Sequence, residues 1–296
     1  MENKFLKNKI FKSFMKYKHI NISIIAISII ICIVIFLFID KNHYEDEDDL
    51  DLGLEENITK ISQVKEKKSV NIKKPNRVEN LKKALEENDE TVGWVYIPGT
   101  SVDWPVMKGI NNDYYLRRNE EEEYAFEGCI FGDDDSVFEP FDKLSNNIVL
   151  HGHNLDDNPD GKRFAQLVKF QDIEFAKQTP YIFLTTKDAS LVYEIYAVFF
   201  TDTKFGYTKV GLDEKTQQSM IDSAKQRSEY NYDVIVSGKD KIITLSTCTY
   251  KYGPYGSVGQ ENTRFAIQGK LLEDGSKLKE KIELIKNPNP RQPNLK

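Results

Sequence analysis

From Ile20 to Ile39 the chain reads INISIIAISIIICIVIFLFI, twenty residues without a charge. As a helix rising about 1.5 Å per residue, such a run spans about 30 Å, the hydrocarbon thickness of a bilayer. Lys4, Lys7, Lys9, Lys12, Lys16 and Lys18 precede it, and the acidic stretch EDEDDLD (45–51) follows. The positive-inside rule therefore predicts a single-pass cell-membrane protein. Residues 1–19 form a basic cytoplasmic tail, residues 20–39 a transmembrane signal-anchor, and everything after Asp40 lies outside the cell. A cleaved signal peptide would have an apolar region of only about 7–15 residues and a small-residue cleavage site. Here the run is longer and leaves through FLFIDKNHY.

Residues 40–76 are acidic and then lysine-rich, with few apolar side chains to bury. They read as an extracellular stalk. At Arg77 the pattern changes. RVENLKKALEEN carries Val78, Leu81 and Leu85 at helical spacing. GWVYIPGTSVDWPVM predicts two strands joined at Pro98-Gly99. Further strands are expected in GCIFGD (128–133), NNIVLHGH (146–153), KIITLSTC (241–248) and RFAIQGKL (264–271). YIFLTT (181–186) and LVYEIYAVFF (191–200) read as a hairpin. Helices are expected near RFAQLVKF (163–170) and over 213–229, where Met220, Ile221 and Ala224 form an apolar stripe. Many short strands with few helices predict a mainly β fold, a barrel or sandwich. Residues 273–296, ending NPNPRQPNLK, read as a polar, disordered tail.

The net charge of −6 argues against a nucleic-acid partner, which calls for a basic surface. Three cysteines, Cys32, Cys129 and Cys248, are too few and too scattered for a disulfide framework. They form no CxxC pair for zinc. Of four histidines only His151 and His153 lie in the folded part, in LHGHN at the end of an apolar strand. Cys248 ends another, in TLSTC. An imidazole near such a thiol, or a cation such as Arg264, would make it a competent nucleophile, and acyl transfer is the chemistry implied. A strand-end cysteine is also a common buried apolar residue. Composition and spacing leave the thiol enzyme and the plain domain both open.

TLSTC at 244–248, HGHN at 151–154 and RFAIQGKL at 264–271 resemble the signature segments of sortases, membrane-anchored cysteine transpeptidases of Gram-positive bacteria. GWVYIPGTSVDWPVM, NNDYYLRRN and GCIFGD extend the resemblance over about residues 77–272. The N-terminal helix and the helix inserted before the cysteine strand are most similar to class B. The resemblance implies a closed barrel of about eight strands. It implies Cys248 as nucleophile, His153 as general acid/base and Arg264 as the residue that binds substrate and supports the oxyanion, with Ser246 and Thr247 lining the substrate groove. It implies cleavage of a C-terminal sorting signal, x-P-x-T-G or N-P-x-T-N, after Thr. The acyl group would pass to a cell-wall or pilin amine, with no metal or organic cofactor.

The chain departs from the family pattern in three places. His151 stands where tyrosine is common, Cys129 where serine or threonine is usual, and the segment between Cys248 and Arg264 is long and rich in tyrosine and glycine. Two other functions are compatible with the same residues. One is a thiol protease that releases its product to water; the other is a non-catalytic surface protein.

Overall fold

The computed structural model describes residues 75–295. The expected cytoplasmic tail, membrane helix and nearly all of the stalk lie outside these residues. Among the described residues no helix is long and apolar enough to cross a membrane.

Helix α1 (Val78–Glu87) buries Leu81 and Ala84 and leaves Val78 exposed. It leads into β1 (Thr91–Tyr96) and β2 (Asp103–Met107), an antiparallel pair. Their connection turns at Pro98-Gly99, where Pro supplies its fixed φ and Gly99 takes φ +73°, the left-handed value that a type II turn requires. The chain continues through β3 (Phe131–Gly132), β4 (Asn147–His151), 3-10 turns over Arg163–Gln171 and α2 (Ile173–Gln178). Then come β5 (Tyr181–Thr185), β6 (Ser190–Asp202), α3 (Glu214–Arg227) and β7 (Tyr230–Asn231). Strand β8 (Ile242–Cys248), the short α4 (Val258–Glu261), β9 (Thr263–Leu271) and β10 (Ile285–Lys286) complete the order.

Eight strands close into a barrel in the order β1-β2-β3-β4-β8-β9-β6-β5. This is the closed barrel that the sequence motifs imply. Alternation along each strand decides what fills it. Ile148 and Leu150 of β4, Ile243 and Leu245 of β8, and Phe265 and Ile267 of β9 point into the main core. The alternate residues of β8 and β9 face outward, where Ile242 and Ala266 meet Met220, Ile221 and Ala224 of α3. A register shift between Ile195 and Ala197 lets the long β6 serve both sides, with Ile195 and Val198 inside and Tyr196 and Phe199 under α3. Asp213 caps α3, its carboxylate accepting from the N–H groups of Lys215 and Thr216.

The tail differs from expectation. The sequence predicts a disordered tail over 273–296, but residues 273–295 run back along the barrel. Leu278 and Leu284 are buried, and β10 pairs antiparallel with β7. Backbone N–H groups of Ile282, Asn287 and Arg291 donate to the carbonyls of Lys177, Glu229 and Gln226. Apolar side chains spaced through KLKEKIELIK supply the burial that the polar composition conceals.

Candidate active site

Strands β4 and β8 run parallel, with His151 opposite Ser246 as the last rung. Strands β8 and β9 run antiparallel, with Cys248 opposite Arg264 as the last rung. The outward faces of all three strands therefore bring His151, Ser246, Cys248 and Arg264 to one end of one wall. His153 follows two residues beyond His151. Leu116, Phe131, Gly152, Asn112 and these residues surround a cleft of about 200 Å³. Gly152 has to be glycine: a Cβ there would sit 2.8 Å from the ring of Phe164.

All five residues singled out from the sequence line this cleft: His153, Cys248, Arg264, Ser246 and Thr247. Cys248 is partly exposed, whereas Cys129 is fully buried. The hydroxyl groups of the two groove residues already have partners within the protein. Ser246 Oγ lies 2.8 Å from the Tyr207 hydroxyl, and Thr247 Oγ1 donates to Gly152 O at 2.7 Å. Burial pushes the Tyr207 hydroxyl up to about 12. It is a neutral hydrogen-bonding group, not an acid.

The two histidines have different partners. His153 Nε2 lies 2.8 Å from the carbonyl oxygen of Leu116. A carbonyl only accepts, so Nε2 carries the proton and Nδ1 is the atom of the neutral ring that can exchange one. Burial of the ring, joined by the charge of Arg117, holds its pKa below the usual imidazole value, although the Leu116 bond acts the other way. His151 Nε2 instead meets Asp133 Oδ2 at 3.0 Å, and its ring packs beside Phe131. Burial alone would raise the Asp133 carboxyl. His151, the Asp135 N–H and Asn112 outweigh that and keep it below the ordinary carboxylate value.

Arg264 Nη1 donates to the carbonyls of Glu261 at 2.9 Å and Thr263 at 2.7 Å. Among the described residues no carboxylate pairs with it. Asp133, Asp134 and Asp135 are the described acidic side chains close enough to share a cation. Asp133 is already engaged by His151 and Asn112. Neither His151 nor His153 belongs to that group.

Sequence reasoning did not reach Asn154 and Asp157. Asn154 is 1% exposed, and its Nδ2 donates to Cys248 O at 3.0 Å. Asp157 accepts from Tyr250 N at 2.8 Å and from Thr249 Oγ1 at 3.2 Å. A buried asparagine straight after the HGH histidine was the available signal, but its partner lies 94 positions away.

A thiol, an imidazole and a guanidinium at one end of a barrel wall are the equipment of cysteine acyl transfer. The sortase-domain family model matches residues 95–272, and the chain belongs to the sortase family of cysteine transpeptidases. Its relatives place it in class B. Sortase B of Listeria monocytogenes is 38% identical over 186 residues, covering 62% of this chain and 71% of that protein. Sortase B of Staphylococcus aureus is 29% identical over 187 residues, covering 63% and 72%. Among solved structures, the Staphylococcus aureus sortase B–substrate complex superposes with a TM-score of 0.57 at 26% identity, covering 75% of this chain and 95% of that one. The Clostridium perfringens sortase B structure gives 0.56 at 26% identity, covering 65% and 99%.

Proposed function

We propose that this sortase is held at the cell membrane by residues 20–39 and acts outside the cell. There it would cleave sorting signals of the x-P-x-T-G or N-P-x-T-N type after Thr. The uncharged run and the lysine-before, acid-after asymmetry support the placement. The observation that carries the chemistry is the meeting of Cys248, His153 and Arg264 on one cleft.

In this reading the Cys248 thiol gives its proton to Nδ1 of His153 and Sγ attacks the Thr carbonyl. Arg264 stabilises the charge that develops on the carbonyl oxygen. The C–N bond breaks, the leaving amine takes the proton from His153, and a thioester remains. An acceptor amine on the cell wall or a pilin then attacks, loses a proton to His153 and displaces the thiolate. Ser246 and Thr247 form the groove wall; their hydroxyls are occupied, so they contact substrate through the backbone and, at Thr247, the side-chain methyl group. No step calls for a metal or an organic cofactor.

The test is intact-protein mass spectrometry with peptides of both motifs. The expected product is a Cys248 adduct ending at Thr, absent in Cys248→Ala. An added amine should convert it to an amide. Release to water alone, whatever amine is present, would make the protein a thiol protease. An unreactive Cys248 would leave a non-catalytic surface protein.

A further inference from the structure

The regular β4–β8 ladder ends at His151 and Ser246, before the two residues whose side chains must meet. Beyond that rung the strands no longer hold each other by a repeating backbone pattern. Side chains continue the connection. Thr247 Oγ1 reaches Gly152 O, Asn154 Nδ2 reaches Cys248 O, and Asp157 Oδ2 receives the N–H of Tyr250 and the hydroxyl of Thr249. Asn154 and Asp157 also bind each other, the Asn154 amide donating to Asp157 Oδ1 and the Asp157 N–H donating to Asn154 Oδ1 at 2.9 Å. Asn154 and Thr249 are each 1% exposed, so their ends of these bonds are shielded from water. Asp157 holds φ at +52°, a left-handed conformation that few non-glycine residues adopt and that Asp tolerates best with Asn. Sparsely populated backbone of this kind persists where the surroundings over-determine it, and it clusters at active sites.

We propose that Asn154 and Asp157 are positioning residues that lock the segment after His153 to the segment after Cys248 and so set the approach of imidazole to thiol. The proposal rests on the assignment of Cys248 and His153 to the chemistry. Asn154 holds the carbonyl of the nucleophile's own residue. Asp157 holds the next two residues. Neither side chain is among those lining the cleft, so neither is expected to touch substrate. A displacement of about 1 Å at reacting groups can cost on the order of 100-fold in rate, which is the scale on which such a lock acts.

The test compares wild type, His153→Ala, Asn154→Ala and Asp157→Gly. Glycine keeps the left-handed backbone while removing the carboxylate, so Asp157→Gly stays informative where Asn154→Ala does not fold. Two quantities are read. One is the rate of Cys248 alkylation by iodoacetamide against pH, followed by peptide mapping. The other is kcat and KM for thioester formation with the peptide that gives the adduct described above. If the lock acts as proposed, both variants move the alkylation curve toward that of His153→Ala. They also lower kcat by about 10- to 100-fold, with KM changed by less than about threefold. A wild-type curve and kcat in folded variants would overturn the proposal, as would a raised KM with an unmoved curve. Coincidence of the wild-type and His153→Ala curves would be a different result: it would remove the Cys–His pairing itself.

Discussion

Cys248 and Arg264 are direct cross-strand partners, the last rung of the β8–β9 ladder. Their spacing is therefore a property of two hydrogen-bonded strands, not of the fifteen residues, 249–263, that lie between them. Arg264 keeps two backbone carbonyls as partners while its charge stays unpaired among the described residues. Lysine at this position would keep the charge and lose the fork that holds carbonyls on one side and faces an oxyanion with the other. Arg264→Lys is expected to lower kcat for thioester formation by about 100- to 1,000-fold, the usual effect of losing one oxyanion donor. Single-turnover kinetics with the adduct-forming peptide measures it. A KM effect alone would assign Arg264 to binding.

His151 and His153 have different partners. Asp133 and Phe131 hold His151, while His153 leaves Nδ1 available. Loss of a positioned general acid/base costs about 100- to 10,000-fold. That loss is expected for His153→Ala. His151→Tyr, which restores a residue common in the family, is expected to stay within about tenfold of wild type. The same kinetics reads both variants. If His151→Tyr were the more damaged, the acid/base would be His151 with Asp133 behind it.

Local signals carried much of this architecture. Pro98-Gly99 marked the β1–β2 turn, alternation marked β8 and β9, and the apolar stripe of Met220, Ile221 and Ala224 marked α3. GCIFGD reads as a full strand, yet only Phe131 and Gly132 pair, because a strand's length depends on neighbours far away in sequence. RFAQLVKF has a helical pattern but forms 3-10 turns that begin at Arg163, held at φ +55° by its surroundings. The tail looks disordered in sequence because Leu278 and Leu284 lie in a segment dominated by lysine and glutamate, and only the folded barrel supplies the surface that they cover. The bonds of Asn154 and Asp157 to the cysteine segment were invisible for the same reason.

The depressed pKa of His153 makes a pH prediction with a definite sign. In the unfolded chain the ring titrates near about 6.5, and in the folded protein it titrates lower, chiefly through burial. The unfolded state therefore binds the proton more readily. Stability from this ring is fully present above about 6.5 and is lost as pH falls through the lower folded value. Urea unfolding midpoints for wild type should drop over that window more than those of His153→Gln. Asp133 has the same sign, but its effect lies near the unfolded carboxyl value of about 3.9, well below the window. Parallel pH profiles for the two proteins would show that the ring is not desolvated.

The two described cysteines should differ sharply in reactivity. Burial, with Glu120 adding to it, drives the Cys129 thiol far above its ordinary value, and no part of it meets solvent. Cys248 lines the open cleft. Native-state alkylation followed by peptide mapping should modify Cys248 and leave Cys129 intact until denaturant is added. Equal labelling under native conditions would contradict the packing of Cys129 with Met107, Tyr115 and Phe131.

Leu284 and Ile285 are neighbours in the tail with opposite environments, the first 6% exposed in the main core and the second 73% exposed on β10. An ordered tail makes them unequal. Truncating a buried leucine to alanine removes transfer energy and leaves a cavity, so Leu284→Ala should cost about 2–5 kcal/mol. For a domain of this size each kcal/mol lowers Tm by about 2–4 °C, so a fall of roughly 4–20 °C is expected. Ile285→Ala should stay within about 0.5 kcal/mol of wild type, as surface substitutions do. Thermal unfolding of the two variants decides between a strap packed on the barrel and a free tail. Only the strap separates them, because a free tail would make both substitutions silent.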